Sequence, residues 1–333
     1  MTRSDFDVLG IGNAIVDVIA RADDRFLANE GLIKGSMRLV DAAEAERLYA
    51  KIGPATESSG GSAGNTVAGV ASFGGRAAFI GKIANDQLGG IYRHDMAALG
   101  VAFTTPPLET GLPTARSMIL VTPDGERTMN TFLGAAQELG PGDIKEASVA
   151  AAEITFLEGY LWDPPQAKAA FRMAAKVAHA AGRRVSMTLS DTFCVDRYRA
   201  EFLDLLRNGA IDILLANVAE LKSLYETGSV DAALDALKAD CRVAAVTASE
   251  DGSYVVTPAG IEHVPATPVE SVVDATGAGD LYAAGFLLGA ARNLPLPAAA
   301  ALGSFAAAEI ISHVGARPQT SLERLAREAG FSL

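Results

Sequence analysis

The stretch from Val272 to Phe286, VVDATGAGDLYAAGF, places a run of small residues between two aspartates and just ahead of an apolar, alanine-rich segment that predicts a helix. The backbone amides of Gly277, Ala278 and Gly279 would lie at the N-terminus of that helix, where the helix dipole favours an anion. Asp280 would lie in the first turn. Phosphoryl transfer to an alcohol requires amides that hold the phosphoryl group and a carboxylate that takes the hydroxyl proton. The alternative is a glycine-rich turn in which Asp280 only favours the helix.

A second glycine-rich stretch, SSGGSAGNTVAG, combines a flexible backbone with an amide side chain. Gly60 and Gly61 let the backbone approach a ligand closely, and Asn65 offers both a donor and an acceptor at the start of a predicted helix. Asp17, which follows Asn13 on the first predicted strand, could accept two hydrogen bonds from a vicinal diol. The alternatives are an ordinary helix cap at Asn65 and a solvated strand-end carboxylate at Asp17.

Two further stretches carry weaker signals. In LLANVAELKSL, Asn217 and Glu220 follow a buried strand and open a helix. Strand ends of this kind bind ligands in open α/β sheets, and the pair could hold a hydrated Mg²⁺. The same spacing is a common helix-capping pattern, and the residues alone favour capping over a metal site. In VTASEDGSYVV, turn chemistry alone explains Gly252.

The elements that must position these side chains alternate along the chain. Buried apolar runs separated by amphipathic helices predict a mostly parallel sheet covered on both faces, within a single α/β domain over residues 1–333. Two segments, at about 15–40 and 101–132, are instead rich in Thr, Val, Pro and turn residues. They predict a small β lid over the site, with ordinary edge hairpins as the alternative.

Composition excludes several classes of function. The formal net charge is −12, so a nucleic-acid or anionic-membrane partner is disfavoured. Hydrophobic residues make up 49% of the chain and charged residues 20%, which indicates a sizeable core. The two cysteines are far apart and the four histidines are scattered, so neither a disulfide framework nor a zinc site is expected. No secretory signal is evident, and we expect a cytoplasmic protein.

The motif DATGAGD closely resembles the C-terminal signature of the ribokinase-like (PfkB) carbohydrate kinases, D-T-x-G-A-G-D, with Ala275 in place of the usual threonine. GGSAGNT is similar to the N-terminal glycine pair and asparagine of that family, and NVAE to its N-x-x-E. The three motifs occur in the family's order, so the resemblance spans essentially the whole chain. Within the family, GIGNAIVD, EGYLWDPP and MTLSDTFCVDRY are most similar to the adenosine kinases.

The resemblance implies a fold, a reaction and cofactors. The fold would be ribokinase-like with a small β lid, and the reaction would use ATP and Mg²⁺ to phosphorylate the 5′-hydroxyl of adenosine. Asp280 would be the general base, the amides of Gly277, Ala278 and Gly279 the anion hole, and Arg127 the lid residue that reaches the phosphoryl group. The resemblance also supplies a set of binding residues: Asn13, Asp17, Gly60, Gly61 and Asn65 for the ribose, Tyr160 and Phe193 for the purine, Thr247, Gly252 and Gly315 for ATP, Asn217 and Glu220 for Mg²⁺ through water, and Asp274 and Thr276 for an optional K⁺.

Other functions stay open at this point. A ribokinase- or fructokinase-like sugar kinase and an inosine–guanosine kinase share the same motifs, and only the segments around Tyr160 and Phe193 separate them from an adenosine kinase. A non-catalytic nucleotide sensor is disfavoured because Asp280 and the anion loop are intact. The partner would be a small nucleoside or sugar, and the chain could act as a monomer or a homodimer.

Overall fold

The computed structural model describes residues 4–333 and contains two β-sheets. In chain order the strands are β1 (Phe6–Ile11), β2 (Ile15–Arg21), β3 (Met37–Leu39), β4 (Ala55–Ser59), β5 (Ala77–Ile80), β6 (Ala102–Phe103), β7 (Ala115–Val121), β8 (Arg127–Phe132), β9 (Ala152–Glu158), β10 (Arg184–Thr188), β11 (Ile213–Asn217), β12 (Val243–Thr247), β13 (Ser253–Thr257) and β14 (Gly260–Val264).

Helices occupy most of the intervening segments. They are α1 (Asp24–Asn29), α2 (Ala42–Tyr49), α3 (Ser62–Ser72), α4 (Gln87–Ala98), α5 (Glu146–Ala150), α6 (Pro165–Ala180), α7 (Thr192–Arg207), α8 (Val218–Leu224), α9 (Val230–Asp240), α10 (Ala278–Ala291), α11 (Leu296–Ile310) and α12 (Leu322–Glu328). Short 3₁₀ turns cover Gly134–Glu138, Pro141–Asp143, Gly159–Trp162 and Ser249–Asp251.

The large sheet has the order β14-β13-β12-β11-β10-β9-β1-β5-β6. Its pairs are parallel from β12 to β6, and β13 and β14 are antiparallel additions at one edge. Successive side chains of a strand point to opposite faces: on β9, Phe156 belongs to the core under α3, α10 and α11, whereas Leu157 belongs to the core under α6 and α7. The predicted mostly parallel sheet with helices on both faces is confirmed.

The small sheet has the order β3-β8-β7-β2-β4 and packs on α1 and α2. Its strands differ in extent from the two predicted segments. The first segment continues beyond Val40 through α2 to β4, and in the second segment β6 pairs with β5 of the large sheet, so only β7 and β8 belong to the small one. The turn at Thr122–Glu126 joins β7 and β8 as a hairpin, with Gly125 at φ +88°. That this sheet acts as a lid stays a prediction.

The first predicted strand, DVLGIGNAIVDVIA, is divided between the two sheets. β1 ends at Ile11 in the large sheet and β2 begins at Ile15 in the small one, so the chain crosses between the sheets at Gly12–Ala14. This crossing places Asn13 and Asp17 close to the N-terminus of α3. One bend in the chain thus carries polar side chains to the junction of the two sheets.

Candidate active site

The predicted anion loop forms the N-terminus of α10. Gly277 caps the helix at φ +81°, a left-handed conformation that favours glycine, and a Cβ there would lie 2.9 Å from the Cβ of Ala316. The expectation of three free amides needs a correction, because the Ala278 amide donates to the Ala275 carbonyl at 3.2 Å. Within residues 4–333, the amides of Gly277 and Gly279 have no acceptor. A Cβ on Gly279 would meet nothing within 4 Å, so this part of the loop borders open space.

Asp280 lies beside those amides and is held by α3. Its Oδ1 accepts a hydrogen bond from Ser62 Oγ at 2.6 Å, and its Oδ2 accepts one from Asn65 Nδ2 at 2.8 Å. Burial raises the pKa of Asp280, while the two hydrogen bonds and the Arg317 guanidinium oppose that rise. A fixed carboxylate whose pKa is moved towards neutrality suits a general base. Asn65 therefore orients this carboxylate, a contact that its motif did not predict.

Arg317 is a site residue that sequence reasoning missed. It donates to the Ser59 and Gly64 carbonyls at 3.1 and 2.6 Å, and it is the leading charge that lowers the pKa of both Asp17 and Asp280 against burial. The signal was present in HVGARPQT, where only Gly315 was singled out. The half-buried guanidinium of Arg317 limits the mutual repulsion of the Asp17 and Asp280 carboxylates.

Asp17 packs directly against the glycine pair. A Cβ on Gly60 would lie 2.4 Å from Oδ2 of Asp17, and a Cβ on Gly61, whose φ is +82°, would lie 2.2 Å from the Asn13 carbonyl oxygen. The two glycines are therefore required by the close approach of this backbone to Asn13 and Asp17. Burial raises the pKa of Asp17 to about 6. Gly61, and not Asn65, is the residue that caps α3.

Glu158, at the end of β9, is the second missed residue and is only 1% exposed. Its carboxylate accepts hydrogen bonds from Asn13 Nδ2 at 2.6 Å and from the Ala63 amide at 2.9 Å. Burial raises its pKa to about 7. The sequence contained a signal for Glu158, because it is an acid at the end of the predicted strand EITFLE. The last residue of a parallel strand lies at the carboxyl edge of the sheet, where ligands bind.

A cavity of about 390 Å³, called here the site cavity, lies between α10 and the carboxyl ends of β9 to β12. Asp280, Tyr160 and Thr247 all border it. Its further lining includes Ser62, Thr66, Phe156, Thr188, Ser190, Leu215, Ala216, Asn217, Glu220, Ala245, Ala275, Gly277, Ala278, Gly279, Tyr282 and Ala283. The predicted base, anion loop, one purine-binding aromatic and the Asn217–Glu220 pair thus share one cavity.

Residues 35–323 match the pfkB family carbohydrate kinases. The chain belongs to this family. It is similar to the adenosine kinase structure from Sinorhizobium meliloti, at 58% identity and a TM-score of 0.92 over 98% of this chain and 100% of that one. It is also similar to the structure of a probable sugar kinase from Rhizobium etli, at 53% identity and a TM-score of 0.92. That match covers 98% of this chain and 99% of the other. A curated relative, the ATP-dependent ribose-1-phosphate kinase of Halopiger xanaduensis, is 33% identical over 69% of this chain and 73% of its own length.

Membership of the PfkB family identifies the protein as a phosphotransferase that acts on an alcohol group, and the predicted ribokinase-like fold is confirmed. The family implies a small-molecule acceptor and ATP as donor, generally with Mg²⁺. Within the described residues 4–333, no helix is long and apolar enough to cross a membrane. In the same range, no three His, Cys, Asp or Glu side chains form a metal-binding group.

Asn217 and Glu220 form a reciprocal capping box at the start of α8. Asn217 Oδ1 accepts from the Glu220 amide at 2.9 Å, and Glu220 accepts from the Asn217 amide at 3.0 Å and from Asn217 Nδ2 at 2.6 Å. Burial raises the pKa of Glu220 to about 7. Since a carboxylate has about four lone-pair sites and Glu220 borders the cavity, the pair fits a metal ion held through water while it caps the helix.

Arg127, the first residue of β8, joins the small sheet to the anion loop. Its Nη2 lies 2.6 Å from Oδ2 of Asp274, and the same oxygen accepts a hydrogen bond from the Gly315 amide at 2.8 Å. The other oxygen of Asp274 accepts from the amide and hydroxyl of Thr276, at 3.1 and 2.7 Å. The Asp274 carboxylate therefore contacts β8 of the small sheet, the anion loop at Thr276 and the loop at Gly315.

Phe193 and Gly252 lie outside the lining of the site cavity, as do several other predicted site residues: Asn13, Asp17, Gly60, Gly61, Asn65, Arg127, Asp274, Thr276 and Gly315. Phe193, in the first turn of α7, is 61% exposed, and the Arg197 guanidinium lies 5.1 Å from the centre of its ring. Gly252 is a tight turn at φ +95°, where a Cβ would lie 2.2 Å from the Val264 carbonyl oxygen. The structure therefore brings Tyr160 to the cavity without Phe193, and it assigns the need for glycine at position 252 to packing.

Proposed function

We propose that this PfkB kinase transfers the γ-phosphoryl group of ATP to the 5′-hydroxyl of adenosine, giving AMP and ADP. The observation that carries the proposal is that Asp280, the free amides of Gly277 and Gly279, and the aromatic ring of Tyr160 all line the site cavity. The first group can activate and phosphorylate an alcohol, and an aromatic ring suits a purine base. The 58% identity to an adenosine kinase supports the same choice.

Asp280 acts as the general base. Its carboxylate takes the proton of the 5′-hydroxyl as the oxygen forms a bond to the γ-phosphorus, and the bond from that phosphorus to the bridging oxygen of ADP breaks. The amides of Gly277 and Gly279 stabilise the charge on the transferring group. Ser62 and Asn65 hold both oxygens of Asp280 during this step. Arg127 adds positive charge when it turns from Asp274 towards the phosphoryl group.

The ribose is held where the two sheets meet. Asp17 accepts hydrogen bonds from the 2′- and 3′-hydroxyls, with Asn13, Asn65 and the backbone of Gly60 and Gly61 around it. Burial raises the pKa of Asp17 to about 6, and hydrogen bonds donated by a diol would favour its ionised form. Oδ1 of Asn13 and Oδ1 of Asn65 are buried without a partner, and both are acceptors for sugar hydroxyls.

ATP is bound at the other end of the cavity. Asn217 and Glu220 would hold Mg²⁺ through water, and the bound ion would supply positive charge against the phosphates. Thr247 borders the phosphates and Gly315 the nucleotide, with Gly252 shaping the turn beside them. The backbone carbonyls of Asp274 and Thr276 form the site of an optional K⁺. We place the protein in the cytoplasm, as a monomer or a homodimer.

A sugar kinase is the second candidate function. Phe193 lies outside the site cavity, so only one of the two aromatic residues expected for a purine is present, and relatives described as a probable sugar kinase and a ribose-1-phosphate kinase match well. A smaller acceptor such as ribose, fructose or a phosphorylated sugar would need no aromatic side chain to stack against a purine.

One substrate panel tests the proposal. The protein is assayed with Mg-ATP and adenosine, inosine, guanosine, ribose, fructose or ribose 1-phosphate, and kcat/KM is measured for each. We expect adenosine to exceed every other acceptor by at least tenfold. A higher kcat/KM for any sugar would assign the second function, and a higher value for inosine or guanosine would assign a different nucleoside.

A further inference from the structure

The loop between α11 and α12 contacts several parts of the candidate site through consecutive residues. The Gly315 amide donates to the Asp274 carboxylate at 2.8 Å. Ala316 packs against Gly277, where an added Cβ would lie 2.9 Å from the Ala316 Cβ. The next residue, Arg317, reaches the start of α3 instead. This loop therefore joins the anion loop to the first turn of α3.

The Arg317 guanidinium holds the glycine-rich segment 59–64 at both of its ends. Its Nε and Nη2 donate to the carbonyl and the hydroxyl of Ser59, both at 3.1 Å, and its Nη1 donates to the Gly64 carbonyl at 2.6 Å. Ser59 is the last residue of β4 in the small sheet, whereas Gly64 lies in the first turn of α3. Because a guanidinium presents its donors in a rigid planar fork, these bonds fix the two ends relative to each other.

Tyr92 of α4 holds the middle of the same segment. Its hydroxyl donates to the Gly60 carbonyl at 3.3 Å. A Cβ on Gly64 would lie 2.7 Å from that hydroxyl and 3.6 Å from Arg317 Nη2, so the glycine leaves room for the tyrosine beside the guanidinium. Ser62 belongs to this segment and is thereby fixed where it donates to Asp280.

The positive charge of Arg317 acts on two carboxylates that its hydrogen bonds do not reach. Burial raises the pKa of Asp17 and of Asp280, and the Arg317 charge opposes both rises. Arg127 also acts on Asp17, but it is already paired with Asp274 at 2.6 Å. Further ionisable groups face this cluster from the neighbouring elements: Glu158 and Tyr160 near Asp280, and Tyr92 and Asp95 near Arg317.

We propose that Arg317 is a positioning residue for phosphoryl transfer, which fixes the segment that holds Asp280 and supplies the positive charge that favours the ionised form of this base. The inference rests on the proposed role of Asp280 and does not depend on the identity of the acceptor alcohol. Because only an ionised carboxylate can accept the hydroxyl proton, loss of this charge would leave a larger fraction of the enzyme inactive at neutral pH. Loss of the fork would in addition let Ser62 move away from Asp280.

The pH dependence of kcat, and of kcat/KM for the acceptor, tests this role between pH 5 and pH 9 with saturating Mg-ATP. The acceptor is the compound with the highest kcat/KM in the substrate panel, so a different acceptor does not affect the test. We expect Arg317→Gln to move the acid limb of both profiles upward by about one pH unit and to lower kcat at its optimum by about tenfold or more. Arg317→Lys keeps the charge without the planar fork, so its acid limb should stay within about half a unit of wild type although its kcat falls.

The matched control is Arg184→Gln, which removes a half-buried guanidinium that donates to the Ala290 carbonyl at the other end of α10 and should leave both profiles unchanged. Circular dichroism verifies that each variant is folded, and Arg317→Met provides a second neutral variant if Arg317→Gln is not. An acid limb at the same pH in wild type and in the neutral variant would overturn the inference, because a purely structural residue lowers activity without moving the limb.

Asp280→Asn separates this failure from a failure of the proposed function. If the acid limb disappears in Asp280→Asn but does not move in Arg317→Gln, only the inference about Arg317 is wrong. An acid limb that persists in Asp280→Asn would exclude Asp280 as the base, and the role of Arg317 with it.

Discussion

At the scale of single residues, we propose that the reaction depends on Asp280. Replacing it by Asn keeps the shape and a hydrogen bond to α3 but removes the proton acceptor. We expect Asp280→Asn to lower kcat by about 10²–10⁴-fold. ATP affinity, measured by calorimetry, should change little because the amides of Gly277 and Gly279 remain.

The control for this substitution is Asp251→Asn, at an exposed turn acid outside the site cavity. It removes the same charge and should leave kcat unchanged. If Asp280→Asn retained most of the wild-type kcat, Asp280 would be excluded as the base.

Tyr160 tests the choice of acceptor. Its ring lines the site cavity, and the residue is 39% exposed, so a ligand can reach it. We expect Tyr160→Ala to raise KM for adenosine at least tenfold and KM for ATP less than threefold, because only the nucleoside packs on the ring. Tyr160→Phe keeps the ring and should stay near wild type. Equal effects of Tyr160→Ala on both substrates would contradict a purine platform.

The residues that sequence reasoning missed share one property. Ser62 and Asp280 are 218 positions apart, and Glu158 reaches Ala63 across 95 positions, so no local spacing links them. Asp280 and Tyr160 could be proposed from the sequence because their motifs combine several residues within a short stretch. Phe193 lies outside the site cavity, because a local likeness does not fix which side chains of α7 face that cavity.

At the scale of elements, β8 of the small sheet places Arg127 against the loop that precedes α10. If Arg127 neutralises the transferring phosphoryl group, Arg127→Gln should lower kcat about 10²-fold, while Arg127→Lys, which keeps the charge without the planar fork, should lose less. The control is Arg38→Gln in the same small sheet, where Arg38 binds Asn130 and Glu44 and not the loop. A kcat for Arg127→Gln equal to that of the control would assign Arg127 a purely structural role.

The limits of the small sheet could not be predicted from composition. β4, with the sequence ATESS, has no apolar alternation, and it is a strand because it pairs with β2. β6 contains only two residues and pairs with β5 in the large sheet. In both cases the partner strand decides the structure, which is why turn-rich composition indicated a second β layer near these positions without its limits.

At the scale of the whole molecule, the alternation of apolar strands and amphipathic helices was sufficient to predict the large sheet. A parallel strand buried on both faces needs a nearly continuous apolar run; β11 and β12 have one, and β9 has one interrupted by Glu153 and Thr155. The same architecture brings the carboxyl ends of these strands to one edge, so polar residues that end them converge. Glu158 and Asn217 follow that rule, although only Asn217 was recognised beforehand.

The candidate site buries several carboxylates, and this burial should make the free energy of unfolding fall as pH rises. Burial raises the pKa of Asp17 to about 6 and of Glu158 and Glu220 to about 7, from values near 4 in the unfolded chain. The folded state therefore holds protons that the unfolded state releases, and the free energy of unfolding decreases between about pH 5 and pH 7. Urea unfolding of the ligand-free protein at pH 5 and pH 8 measures this decrease.

Glu158→Gln isolates the contribution of one buried group. The shift in the Glu158 pKa from 4.5 to about 7 corresponds to about 3 kcal/mol. Between pH 5 and pH 8, the free energy of unfolding of this variant should therefore fall by about 2–3 kcal/mol less than that of wild type. The amide can keep both hydrogen bonds, because the Asn13 side chain can turn and accept from it through its unpaired Oδ1. Glu250→Gln, at an exposed position, should follow the wild-type pH dependence. A Glu158→Gln profile parallel to that of wild type would show that Glu158 is not the group whose proton the fold retains.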